Sequence, residues 1–300
     1  MESSNTLLLV LRGLMQRYRN RVPDVNGVIN AMIAEGLITE ANDIENDHIA
    51  FRTMGVPQLG IQSLEKIFLH YGYTKMDYYF FAEKKLNAYW YAPPQPKYPR
   101  IFISELRVND LSAEAQQILL SYTNEVTSDP VDALDLDDAT AVDEFLHSSL
   151  WRLPSLSDFK ALAVESEYAA WVIYNRYYLN HFTVSVHNLK EGYNTIETFN
   201  TFLEQKGFVL NDAGGKIKRS PDGALQQSST VAEMIDATFA EGSSEKISGS
   251  YVEFAERKVL YAFTDLDEAE ITRAHRREGF EAANADKIFE STYSGQTDKR

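Results

Sequence analysis

Two periods of apolar residues alternate along this chain, and their order repeats. Residues 5–20 and 25–36 place apolar side chains at helical spacing, and Gly36 suits the end of the second helix. NDHIAFRT (46–53) alternates like a strand, IQSLEKIFLHYGY (61–73) is a helix ending at Gly72, and MDYYFFAEKKLNAYWYAPP (76–94) reads as two strands around Glu83–Lys85. RIFISELRV (100–108) adds another strand, so the order is β-α-β-β-β. Helical patterns then dominate 111–180: LSAEAQQILLSYTNEV, AVDEFLHSSLW and DFKALAVESEYAAWVIYNRYYL. The acidic stretch SDPVDALDLDD (128–138) between the first two reads as a solvated linker.

The first pattern then returns. NHFTVSVHNL (180–189) alternates, TIETFNTFLEQKGFVL (195–210) is a helix ending at Gly207, and GALQQSSTVAEMI (223–235) holds at least one strand. SGSYVEFAERK (248–258) takes the place of RIFISEL. His48 to Gly72 spans 24 residues and His181 to Gly207 spans 26. Two similar half-domains, each mixing one helix with about four strands, are the simplest account. The expected organisation is a single α+β domain. It has N-terminal helices (1–40), a first β-rich half (41–110), a helical insertion (111–179), a second β-rich half (180–262) and a tail (263–300). NADKIFESTYS (284–294) in that tail is a candidate lid, and GGKIKRSPDG (214–223) lacks phosphate-loop spacing and reads as a loop or hairpin.

Side chains two apart on a strand share a face. Ile49 and Phe51 therefore oppose His48, Ala50 and Arg52; Phe182, Val184 and Val186 oppose His181, Thr183, Ser185 and His187. Val252 and Phe254 oppose Tyr251, Glu253, Ala255 and Arg257. A half-exposed sheet with its polar side in water is the common cause of such a pattern. The rival is a curved sheet whose helices cover the apolar side and whose concave side lines a polar pocket. His, His, Glu and Arg are not the usual residues of a solvated face, which favours the pocket.

Two histidines and a glutamate on three strands form the ligand set of a facial triad, which holds Fe(II) and leaves positions open for a chelating 2-oxo acid and O2. Arg52 stands four residues from His48, about 13 Å along the same face, an offset suited to anchoring a substrate carboxylate. Composition sharpens this. With 44 acidic against 29 basic residues the net charge is −15, which argues against nucleic acid as a partner, and no cysteine is available for thiolate chemistry. A metal must use nitrogen and oxygen ligands. No apolar run approaches the ~20 residues of a membrane span. Thr6–Met15 lacks the basic flank and cleavage site of a signal peptide, so the chain reads as cytoplasmic, or from an organelle if the source is eukaryotic.

DHIAFRT with its His-x-x-x-Arg spacing, NHFT at 180–183 and GSYVEFAER at 249–257 together resemble the 2-oxoadipate dioxygenase/decarboxylase family, a relative of the vicinal-oxygen-chelate enzymes. The resemblance covers roughly residues 40–290. It implies two vicinal-oxygen-chelate-like βαβββ half-domains curved around a metal pocket, with Fe(II) on His48, His181 and Glu253 and substrate on Arg52. It further implies conversion of 2-oxoadipate and O2 to 2-hydroxyglutarate and CO2 in lysine catabolism.

Other residues are weighed beside these. Gln227 and Ser229 are candidate substrate contacts, although Gln226–Ser229 also fits a solvated edge strand. Glu105 occupies the place in the first half that Glu253 occupies in the second. As a fourth ligand it would suit glyoxalase-type isomerase chemistry; a structural role is the other reading. His187 falls near the pocket rim, His70 reads as a packing residue, His147 and His275 as surface residues, and Tyr251 as a neighbour of Glu253. A non-catalytic relative without an open metal site is the remaining alternative.

Overall fold

The computed structural model describes residues 2–300. Helices α1 (Glu2–Arg21) and α2 (Pro23–Ala34) precede strand β1 (Asn46–Met54), helix α3 (Ile61–His70) and strands β2 (Thr74–Phe81), β3 (Leu86–Ala92) and β4 (Arg100–Leu106). Helices α4 (Ala113–Thr123), α5 (Ala139–Leu146), α6 (Leu156–Glu165) and α7 (Glu167–Asn175) follow. The second half runs β5 (His181–Ser185), α8 (Ile196–Gln205), β6 (Lys218–Arg219), β7 (Leu225–Ser229), β8 (Met234–Thr238), β9 (Ser244–Ser248) and β10 (Tyr251–Arg257). Helix α9 (Ala282–Phe289) lies in the tail.

Eight strands form one sheet in the order β2-β3-β4-β1-β5-β10-β7-β6, and β8 and β9 make a separate hairpin. In the first half β1 is parallel to β4, which pairs antiparallel with β3 and β3 with β2. The second half repeats this with β5 parallel to β10, β10 antiparallel to β7 and β7 to β6. The halves join where β1 pairs antiparallel with β5, Ala50 facing His181. The βαβββ repeat read from the pattern is therefore the repeat of the fold.

The apolar strand faces are buried under the helices of their own half. Phe51 meets Phe68 of α3 at 5.5 Å between ring centroids, and Phe254 meets Phe199 of α8 at 5.2 Å. Each helix stops at a glycine in the left-handed region, Gly72 at φ 85° and Gly207 at φ 89°, where a side chain would be strained.

Four expectations change. The long helical run of 158–179 is two helices. Ser166 takes an extended backbone (φ −150°, ψ 102°), and its side chain caps α7 by accepting from Ala169 N. The acidic stretch is not a free linker. Asp129 accepts from Ser63 Oγ (2.6 Å) and Lys66 Nζ (2.9 Å), and Val131 is buried, so it packs on α3. His70 is not a packing residue but pairs with Asp137 at 2.9 Å on the surface. The His147 side chain is only 4% exposed, set edge-on against Tyr178. Lys218 and Arg219 do form the expected hairpin with β7, which lies inside the sheet and not at a solvated edge.

Candidate metal centre

The polar strand faces do not meet water. His48, Ala50 and Arg52 of β1, His181 of β5, Tyr251 and Glu253 of β10 and Gln227 of β7 line one cavity. The tail closes its open side with Phe280, Ala285, Ile288 and Phe289, so the candidate lid segment lies over the pocket. His48 is 2% exposed, His181 6% and Glu253 1%.

His48, His181 and Glu253 each offer one donor atom, all within 4.8 Å of one another. Glu253 Oε2 lies 3.0 Å from His181 Nε2, and Oε1 lies 3.5 Å from His48 Nε2. The far ring nitrogens are held: His48 Nδ1 is 2.8 Å from Asp47 Oδ1, and His181 Nδ1 is 3.1 Å from Asn180 Oδ1. Such partners fix ring orientation and turn both Nε2 atoms toward the centre. Gln227 Nε2 donates to Glu253 Oε1 at 2.7 Å, steadying the carboxylate.

The local field suits a cation. Burial alone would pull the His48 imidazole down, yet Glu253 and the hydrogen bond to Asp47 raise it above its ordinary value. Burial, with His48 and Arg52 nearby, holds His181 well below the usual imidazole range, leaving a neutral lone pair. Burial would raise the Asp47 carboxyl, but Arg257 and Arg100 outweigh it and hold it well below the ordinary range. Arg257 Nε donates to Asp47 at 2.6 Å and Arg100 Nη1 at 3.0 Å. A neutral His181 imidazole, a His48 imidazole whose proton a metal would displace and one carboxylate, desolvated and converging, fit a divalent metal.

Arg52 is 1% exposed, with Tyr168 and Trp171 of α7 each 5.0 Å from its guanidinium carbon. Nη1 donates to Thr292 Oγ1 (2.9 Å) and Nη2 to the Phe289 carbonyl (3.2 Å). No acidic side chain among the described residues pairs with it, so this buried cation is available to an anion.

The parallel registers decide what stands opposite Glu253 in the repeat. His48 pairs with Arg100, and His181 with Tyr251. Two residues on lie Phe102 and Glu253, so the first-half counterpart of Glu253 is Phe102, which lines the cavity. Glu105 corresponds instead to Glu256. Glu105 Oε2 accepts from Ile61 N at the start of α3, and Glu256 Oε2 from Ile196 N at the start of α8, both at 2.9 Å. Each carboxylate satisfies a free N–H at a helix start. The cluster thus offers three candidate ligands, with a phenyl ring in the place of a fourth.

Ser229 shares a hydrogen bond of 2.8 Å with Ser291 in the tail, while Ser228 turns to Asn200 on the helix side and Gln226 to Arg219. His187 sits past the end of β5 in a short turn, where burial lowers it to about 4. His275 lies in a turn at Arg273–His275. Pattern reading missed Asp47, Asn180, Phe102 and Phe280, whereas Ala285, Ile288 and Phe289 fall within the candidate lid. Asp-His and Asn-His at matching places in the repeat were a usable signal for the first two; Phe102 and Phe280 had none.

The family model for 2-oxoadipate dioxygenase/decarboxylase matches residues 10–266. The chloroplastic 2-oxoadipate dioxygenase/decarboxylase of Arabidopsis thaliana is 45% identical over 296 residues, covering 94% of this chain and 76% of the relative. The solved hydroxyglutarate synthase from Oryza sativa, in complex with 2-oxoadipate, aligns with TM-score 0.89 at 40% identity, over 99% of this chain and 94% of that one. A protein from Ralstonia eutropha JMP134 assigned to the glyoxalase superfamily shares the fold, with TM-score 0.69 at 19% identity over 91% of this chain and 85% of that one.

Proposed function

The chain belongs to the 2-oxoadipate dioxygenase/decarboxylase family, and on that premise we propose that it converts 2-oxoadipate and O2 to 2-hydroxyglutarate and CO2 with Fe(II) on His48, His181 and Glu253. The observation that carries this reading is the centre with three converging donors and Phe102 in the fourth place. A four-ligand site of glyoxalase type would need a carboxylate in that place, where this chain has Phe102. Held by His48, His181 and Glu253, Fe(II) would bind the 2-oxo acid end of the substrate and activate O2.

The chain's own residues do the rest. Asp47 and Asn180 hold the imidazoles, and Gln227 holds Glu253. Arg52 receives the distal carboxylate, as the arginine in the cavity lining of a chain whose net charge is −15. Phe102, Phe280, Ile288 and Phe289 pack along the methylene chain and exclude water. We place Ser229 with the lid contact at Ser291, next to the substrate site. No helix among the described residues is long and apolar enough to cross a membrane. The compartment we propose is cytoplasmic or, as in the name of the Arabidopsis relative, the interior of an organelle.

An oxygen electrode tests the reading. With Fe(II) and 2-oxoadipate, O2 uptake should match the release of CO2 and the formation of 2-hydroxyglutarate one for one. Turnover of 2-oxoadipate without O2 would overturn it.

A further inference from the structure

Tyr251 opens β10 two residues before Glu253 and on the same face. Its ring lies against the His181 imidazole, with centroids 4.8 Å apart and planes tilted by 33°. The residue is fully buried, and its hydroxyl has no hydrogen-bond partner. Arg52, on β1, has a matching defect. Its two terminal nitrogens are engaged by the tail, but Nε is buried without a partner. The two groups line the same cavity, and the Arg52 guanidinium acts on the Tyr251 oxygen both through its charge and as a hydrogen-bond donor within reach.

Buried donors are ordinarily paired, because leaving one unmade forfeits its solvation. Here a phenol and a guanidinium are brought together from two strands of different halves; the Tyr251 oxygen is within reach of an Arg52 N–H, and the phenol O–H is left without an acceptor. One carboxylate satisfies both, since it presents two acceptor oxygens and a negative charge. A neutral chain end satisfies neither.

We propose that Tyr251 is the second donor to the distal carboxylate, sharing it with Arg52, and that it makes the site select 2-oxo diacids over 2-oxo monoacids. This rests on the functional reading above. The ring against His181 keeps the hydroxyl at a fixed distance from the metal end, so Tyr251 also gauges chain length. Nothing in the sequence pattern marks the role, because a tyrosine next to a ligand strand reads equally well as packing.

The test is anaerobic calorimetry on the Fe(II)-loaded protein with 2-oxoadipate and with 2-oxohexanoate, which has the same chain and no distal carboxylate. Tyr251→Phe keeps the ring against His181 and removes only the hydroxyl. It should weaken 2-oxoadipate about ten- to hundredfold, leave 2-oxohexanoate within about twofold, and leave metal content unchanged. Tyr251→Leu carries the same prediction if the phenylalanine variant does not fold. Unchanged 2-oxoadipate binding, or equal weakening of both acids, would overturn the proposal. If the wild-type protein itself does not prefer 2-oxoadipate over 2-oxohexanoate, the functional reading falls and takes this proposal with it.

Discussion

The two halves of the sheet share one fold and divide the chemistry unequally. Matching His48 to His181 places Asp47 opposite Asn180 and Glu105 opposite Glu256. Those positions do the same work in both halves: one side chain aims an imidazole, and one carboxylate satisfies a helix start. The remaining pocket positions differ. Phe102 stands against Glu253, Arg100 against Tyr251, and Arg52 against Ser185. The two halves therefore keep the histidine holder and the helix-start glutamate, and differ at three other strand positions, where the proposed ligand number and substrate charge would be set.

Exchanging residues between the halves tests this. The largest effect is expected from Glu253→Phe, which gives the second half the first half's residue. Metal content, measured by elemental analysis after loading, should fall from about one per chain to under about a tenth; full stoichiometry would remove Glu253 from the centre. Phe102→Glu makes the opposite exchange. It should keep metal with a fourth ligand and lose O2 uptake by roughly tenfold or more, because a coordination site is filled. Undiminished uptake would mean that Phe102 does not occupy the fourth place.

Arg52→Ser borrows the residue of the second half. It should load metal normally and bind 2-oxoadipate more weakly by ~1.5–3 kcal/mol, the worth of a charge-assisted contact. Loss of metal binding as well would make Arg52 a support of the fold. The smallest effects belong to the shared positions. Glu105→Ala and Glu256→Ala should each cost ~1 kcal/mol, seen as drops of about 2–4 °C in Tm. A loss of metal from Glu105→Ala alone would break the equivalence of the pair.

Much of this was legible in the residues. Alternation in DHIAFRT and SYVEFAER placed His48 with Arg52 and Glu253 with Tyr251 on common faces, because strand geometry turns successive side chains to opposite sides. RIFISEL was not legible in that way. On β4 the pocket face carries Phe102 where β10 carries Glu253, so Ile101, Phe102 and Ile103 run together and the apolar residues do not alternate. Glu105 looked equivalent to Glu253, and the register moved it to Glu256, since a shift of one residue turns a side chain to the other face.

By itself the sequence determined the repeat, the strand faces and the donors that three strands could offer, all consequences of local backbone sterics. Only the tertiary structure decided which residue of β4 stands opposite Glu253, and how the site is closed. Asp47 draws on Arg100 and Arg257, 53 and 210 residues away, and Arg52 on Thr292, 240 residues away. Such pairings come from long-range packing and leave no periodic trace in the chain, which is why the candidate donors could be read and their surroundings could not.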